Sequence, residues 1–379
     1  MVKEICSAFT LIQKIGEETL MKLLSSFELC GMTLKNRVVR SATMENMATS
    51  DKMPSKELLH LYEELAKGDV GLIITSGVRP DRTWNNPSHN RGMCLDRDDQ
   101  IPVFAELTEL VHKFGSKIVM QLGSFFVFNG DYVLPSVLPD DYASGISYRE
   151  LTTSEIKKIV SAYGAAGLRA SKAGFDAVQI HLAHGFPLSR FLSPFTNHRS
   201  DEYGGSIENL ARIGVEIVAE IHQRVGSQFP IFIKMNVSDF CEGGMTIDDA
   251  VQLAKIFSLN GVSAIETSGG AIGREVSWLG PVDPSQWREG YFKDYAAAIK
   301  SQVDIPVILV GGLRDPEMME EIILHNQSDL IAMSRPLIKE PCIVKRWIKG
   351  DLTSSDCTSC DSCSTTIMNE KNLQCILEE

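Results

Sequence analysis

Eight short apolar runs punctuate this chain, at Val38–Val39, Gly71–Thr75, Lys117–Leu122, Ala177–His181, Ile231–Asn236, Ala264–Ser268, Pro306–Val310 and Leu330–Met333. Each is brief enough to be a buried strand. Between them the apolar residues take a helical period over Ser55–Ala66, Ser154–Ala173, Glu208–Arg224, Ile247–Leu259 and Pro316–His325, and several of these segments open on Thr, Ser or Asp at a cap position. Strands alternating with helices imply a parallel sheet. A doubly wound open sheet and a closed barrel both satisfy the alternation, but eight units in about 300 residues match the barrel. No G-x-G-x-x-G follows the first strand. The expected fold is therefore α/β: a (β/α)8 TIM barrel over residues 27–350, a short N-terminal helical extension at 1–26 and a Cys-rich tail at 351–379. In such a barrel the active site lies in the loops that follow the strands, so polar residues at strand C-termini are the candidates. The loop Ser124–Arg149 shows no clear periodicity and reads as a long excursion over the end of the third strand, of the kind that covers substrates.

Composition narrows the partners. A formal charge of -12 argues against nucleic acid, whose phosphates are bound by clustered Lys and Arg. The N-terminal stretch is interrupted by Lys3, Glu4, Lys14, Glu17 and Glu18, so it neither approaches the roughly 20 apolar residues of a membrane span nor has the order of a secretory signal. The expectation is a cytoplasmic protein without a membrane partner, acting on a small molecule. A homo-oligomer is compatible with it, its order unset by the sequence. Of the 9 cysteines, Cys357, Cys360, Cys363 and Cys375 crowd into the tail, which suggests a metal rather than disulfides.

The stretch Ile180–Arg212 carries the most chemistry. It sets His181 and His184 at the end of the fourth strand, where two imidazoles can donate to one substrate oxygen and stabilise charge developing there. One of them could equally be a capped or core histidine, and a metal site is the other alternative, although no third ligand of the HExxH kind is evident.

The segments LKNRVVRSATMENMAT (Leu34–Thr49), VGLIITSG (Val70–Gly77), Ile180–Arg212 with its FLSPFTN and RSDEYGGSIEN, IKMNVSDFCEGGMT (Ile233–Thr246), VILVGGLRDPE (Val307–Glu317) and DLIAMSRPLIKEP (Asp329–Pro341) resemble the Old Yellow Enzyme family of FMN oxidoreductases, in register from Phe27 to Trp347. The resemblance implies an FMN cofactor and NAD(P)H as co-substrate. It implies that Gly311 and Gly312, with Ser334 and Arg335, cradle the phosphate after the seventh and eighth strands, where barrels place backbone N–H groups and a cation. Gln121 would pair with the flavin's pyrimidine edge, having both a carbonyl and an NH2. Lys234 would balance charge on reduced N1. The backbone of Ser41, Ala42, Thr43 and Met44 would line the other flavin face, with Gly77 and Ser268 also at the cofactor. His181 and His184 become the catalytic pair, which hold the acceptor's oxygen.

The sequence also departs from the family pattern. Where many members carry a tyrosine that protonates the substrate, this chain has Phe186, which lines the substrate pocket but has no proton to give. The third-strand motif reads QLGSFFVFN, with Ser124 in place of a histidine and Phe125, Phe126 and Phe128 nearby. Tyr132 and Tyr142 are the phenols of the following loop. In the tail, Cys357-x2-Cys360-x2-Cys363-x11-Cys375 suits a [4Fe-4S] cluster, zinc could use the same sulfurs, and an unmetallated remnant is the third reading. That tail resembles the cluster-binding segment of the family's larger members, the dienoyl-CoA reductases and trimethylamine dehydrogenases. The expected activity is hydride transfer from NAD(P)H through FMN to an activated alkene, quinone or nitro compound. The rivals are a flavin-free barrel isomerase or lyase that binds a sugar phosphate, and a flavin-binding protein with little turnover.

Overall fold

All eight apolar runs are strands in the computed structural model, which describes residues 22–84, 91–138, 148–270, 288–369 and 371–377 and the backbone of 276–277 and 280–281. They are β1 (Val38–Arg40), β2 (Leu72–Ile74), β3 (Lys117–Leu122), β4 (Ala177–Leu182), β5 (Ile231–Asn236), β6 (Ala264–Ser268), β7 (Val307–Val310) and β8 (Leu330–Met333). Each pairs in parallel with its neighbours in chain order, and β8 returns to β1 with Ile331 opposite Val38, which closes the barrel. The principal helices around it are α1 (Lys56–Lys67), α2 (Ile101–His112), α3 (Thr153–Lys172), α4 (Ile207–Val225), α5 (Ile247–Leu259), α6 (Lys293–Lys300) and α7 (Pro316–Leu324). Neither α2 nor α6 stands out in the sequence; α6, KDYAAAIK, is too short to display a helical period.

Successive strand residues point to opposite faces, and the two faces make two cores. One face packs against the helices, through residues such as Ile73, Ile118, Ile180, Ile233 and Leu309. The other fills the barrel with Val39, Leu72, Val119, Ala177, Phe232, Ala264, Ile308 and Leu330. An antiparallel hairpin, Phe27–Leu29 with Met32–Leu34, adds Leu29, Met32 and Leu34 to that interior, and the Cys30 thiol donates to the Ser263 carbonyl just before β6. The hairpin thus plugs the N-terminal end. Residues 1–21 of the extension lie outside the described residues; Leu23 is buried, and its N–H donates to Glu320 Oε2 at 2.6 Å.

The loop after β3 corrects the reading of it as aperiodic. Phe126–Phe128, Asp131–Leu134 and Tyr148–Glu150 form a three-stranded sheet. Its first turn is Asn129-Gly130, both at positive φ (54° and 90°), which suits the twist of a two-residue hairpin. The sheet is tied to α3 by Arg149, whose guanidinium donates to both Glu155 oxygens at 2.9 and 2.7 Å. Glu155 in turn closes a capping box with Thr152. Arg149 above all, with the Thr152 donors, holds the Glu155 carboxyl down to about 2 despite partial burial. A depressed carboxylate contributes stability above its ordinary pKa and loses it as the pH falls through the folded one. Urea unfolding should therefore show native stability falling between about pH 4.5 and 2, with Glu155→Gln less stable at neutral pH and flatter over that interval; equal slopes would reject the assignment.

Candidate active site

The barrel's inward face changes character toward the strand C-termini. On β3, Val119 is followed inward by Gln121; on β4, Ala177 by Gln179 and His181; on β5, Phe232 by Lys234 and Asn236; on β6, Ala264 by Glu266 and Ser268. These polar side chains are almost wholly buried, so each needs a partner. They find one another. Lys234 Nζ lies 3.1 Å from Glu266 Oε1 and donates to Ser41 Oγ at 2.9 Å, and Ser41 donates to the same carboxylate at 2.6 Å. Gln179 Nε2 donates to Glu266 Oε2 at 2.8 Å, and Gln121 Nε2 donates to Gln179 Oε1 at 2.7 Å.

The histidines sit above this layer with ring centroids 5.1 Å apart. His184 is held in the left-handed region at φ 70°, where a side chain is disfavoured. Two contacts hold it there: its N–H donates to Asn236 Oδ1 at 3.0 Å, and its Nε2 lies 2.6 Å from Ser268 Oγ. His181 Nδ1 is buried with no hydrogen-bond partner. Burial, assisted by Lys234, pushes His181 down to about 3, and burial with the neighbouring His181 and Lys234 pushes His184 well down. Both rings are therefore neutral at physiological pH, each carrying one N–H. Phe186 lies against His181 at 5.1 Å between centroids and against Phe125 at 5.3 Å, so this wall is apolar. The Ser124 hydroxyl donates to the Trp84 and Phe125 carbonyls. Tyr132 packs against Tyr148, and Tyr142 lies outside the described residues.

The remaining candidates ring the same mouth. Thr43 Oγ1 meets Ser334 Oγ at 2.7 Å, which joins the loops after β1 and β8, and Arg40 Nη1 donates to the Ser334 carbonyl at 2.5 Å. Ala42 packs on the barrel interior and Met44 on the outer core. A side chain on Gly77 would stand 3.8 Å from Gln121 Oε1. Gly311 and Gly312 take φ 140° and 69°, a backbone open to glycine, with the Tyr291 ring over Gly311. Arg335 Nη1 donates to the Ser359 carbonyl at 3.2 Å, and the same side chain lines a pocket with Cys357, Cys360, Cys363 and Cys375. Arg314 Nη1 donates to the Cys357 carbonyl at 3.0 Å, a second tie between tail and barrel.

Three placements go beyond the sequence reading. Ser41 directs its hydroxyl into the barrel, Ser268 braces His184, and Lys234 is paired with Glu266. Gln179 and Glu266 were not singled out, although a Glu inside the apolar strand AIETS beside a Lys inside IFIKMN was a legible sign of a buried pair.

A family model described as the NADH:flavin oxidoreductase / NADH oxidase family matches residues 22–353. The chain is 35% identical over 352 residues to an NADH oxidase of Thermoanaerobacter brockii, across 90% of this chain and 52% of that protein, so it spans about half that relative's length. It is 35% identical over 335 residues to an NADPH dehydrogenase of Bacillus subtilis (strain 168), across 86% of this chain and 94% of that one. A 2-naphthoyl-CoA reductase solved with 2-naphthoyl-CoA has the same fold, with a TM-score of 0.85 at 22% identity over 94% of this chain and 56% of that one.

The burial of the histidines has a direct readout. Nitrogen-15 spectra of the imidazoles should show His181 and His184 neutral from about pH 8 to 5; a protonation step of either ring in that interval would contradict the neutral pair.

Proposed function

The chain belongs to the NADH:flavin oxidoreductase / NADH oxidase family, and from that premise we propose that it binds FMN at the barrel mouth and transfers hydride from NADH or NADPH to an electron-poor small molecule. The observation that carries the reading is the pair of neutral, buried imidazoles at the mouth, one with an unpartnered nitrogen, beside a buried cation. Residues and group fit. FMN needs a phosphate site, and Gly311-Gly312 with Ser334, Thr43 and the Arg335 guanidinium supply backbone N–H groups, hydroxyls and a cation. It needs partners for its pyrimidine edge, and Gln121 and Lys234 offer an amide and an ammonium. When bound, FMN supplies two-electron chemistry between nicotinamide and acceptor.

The protein's own part is orientation and charge stabilisation. His181 and His184 donate to the acceptor's oxygen and stabilise the negative charge that develops there, a role neutral imidazoles perform without releasing a proton. Asn236 and Ser268 keep His184 aimed. Phe186 and Phe125 exclude water from one wall and supply no acid, so acceptors protonated readily from solvent, quinones and nitro compounds, are favoured over simple enones. We place the chain in the cytoplasm; no helix among the described residues is long and apolar enough to cross a membrane.

The tail is read as a [4Fe-4S] site. Its four cysteines line one pocket, with Ser359 and Asp361 in left-handed turns between them. Among the described residues, no three of these sulfurs come within 4.8 Å of one another. The reading rests on the cysteine spacing, three thiolates two residues apart and a fourth to close the set, as in ferredoxin-type binding.

Acid release of the cofactor, with iron, sulfide and zinc analysis of the same sample, should give about one FMN per chain and iron without zinc. Arg335→Ala should raise the FMN dissociation constant roughly tenfold or more, as loss of a charge-assisted bond to phosphate; full occupancy at unchanged affinity would assign the phosphate elsewhere. Phe186→Tyr should raise enone turnover, general acid catalysis being worth about 10² to 10⁴, while reduction by the nicotinamide stays nearly constant. Half-reaction kinetics decide it: brisk enone reduction by the native protein, unimproved by the tyrosine, would reject the missing-acid account.

A further inference from the structure

Glu266 has no role in the reading above, yet it is the common acceptor of the barrel mouth. One of its oxygens takes Lys234 Nζ at 3.1 Å and Ser41 Oγ at 2.6 Å, and the other takes Gln179 Nε2 at 2.8 Å. The residue is fully buried. Two consequences follow from its being a carboxylate. The first is directional. An ionised carboxylate accepts and never donates, so Gln179 must turn its NH2 toward Glu266 and its Oε1 toward Gln121. Gln121 must then give its NH2 to Gln179, at 2.7 Å, which turns its Oε1 to the side of Gly77. Neither amide can flip alone without setting two donors or two acceptors face to face, a costly arrangement in a buried site. The second consequence is electrical. Lys234 brings a positive charge to the mouth and Glu266 opposes it at contact distance.

We propose that Glu266 is a positioning residue for the cofactor: through Gln179 it sets Gln121 to offer an acceptor to the flavin's pyrimidine edge, and through Lys234 it keeps the site electrically neutral. The inference rests on the FMN reading. It separates Lys234 from a simple cation beside the flavin, because part of the ammonium's field is already answered. Four strands and the loop after β1 take part, so the polarity of one amide at the mouth is decided by a side chain two residues away in a hydrogen-bonded chain.

The test uses the native FMN-loaded protein and the variants Glu266→Gln, Lys234→Met, Glu266→Gln/Lys234→Met and Gln179→Leu. FMN dissociation constants and two-electron midpoint potentials are read for each. Glu266→Gln leaves an unanswered cation and should favour the reduced over the oxidised flavin about tenfold, an upward shift of roughly 30 mV at 29.6 mV per tenfold. Lys234→Met leaves an unanswered anion and should shift the potential downward by a similar factor. The double variant, neutral again, should return to within about threefold of the native ratio. Gln179→Leu removes the relay without touching either charge, so it should weaken FMN about tenfold and leave the potential near the native value. A merely structural role predicts weakened binding throughout and no opposite signs. Potentials that move the same way in both single charge variants, or in neither, would overturn the proposal. Should the amide variant not fold, Lys234→Met and Gln179→Leu decide it: a downward shift in the first with none in the second supports the proposal, and any other pattern overturns it. Native protein that binds no FMN would instead overturn the flavin reading itself, and that measurement precedes the variants.

Discussion

The contact between Lys234 and Glu266, at 3.1 Å at the top of an apolar barrel interior, is the constraint around which the mouth is organised. Two charges taken out of water are tolerable only if both are paired and their remaining hydrogen-bonding capacity is met, and removal of one partner from such a pair typically costs about 3 to 5 kcal/mol. Here Ser41 and Gln179 complete the shell, and Gln121 extends it. The pair therefore ties β5 to β6 in register and fastens β3, β4 and the loop after β1 to the same point. Below it the interior is apolar; above it lie the polar strand ends and the loops of the candidate site. The pair marks the boundary between scaffold and site.

That boundary explains the state of the histidines. They lie over a buried cation and are themselves buried, so protonation is opposed twice, by desolvation and by like charge. A neutral imidazole still carries an N–H and can donate it to an oxygen on which negative charge develops. The backbone strain at His184 belongs to the same arrangement. Its left-handed conformation is held by Asn236 and Ser268 on the two neighbouring strands, so ring orientation is a property of the barrel rather than of the loop that carries it.

The Cys-rich tail is packed against the barrel. Ile367 and Leu373 are buried in the outer core, and Trp347 Nε1 donates to the Thr353 carbonyl. Burial pushes the Cys363 thiol up to about 11, whereas hydrogen bonds from Ser362 draw Cys360 down, so the four sulfurs are not equivalent. Arg335 lies between the tail and the loop after β7: its side chain lines the cysteine pocket and its charge is felt at Tyr291, whose ring covers Gly311. The tail and the loops after β7 and β8 are therefore adjacent in space although far apart as motifs.

The Old Yellow Enzyme resemblance is borne out by the family match, and all eight strands were legible from short apolar runs, because a parallel strand buried on both faces writes itself as a local composition. So were five of the seven principal helices, through their period and caps. The hairpin at Asn129-Gly130 was legible too, in a dipeptide that the apparent irregularity of its loop obscured. At the site, sequence alone determined which polar residues end the strands: Gln121, His181, Lys234, Ser268. What it left open was their pairing. Whether Lys234 faces a ligand or a carboxylate, which way Gln121 turns its amide, and whether His181 is charged depend on residues 32 to 225 positions apart along the chain that meet only when the barrel closes. Residue type is a local property, readable one strand at a time; partner, polarity and charge state are set by distance and burial, and those exist only in the folded barrel.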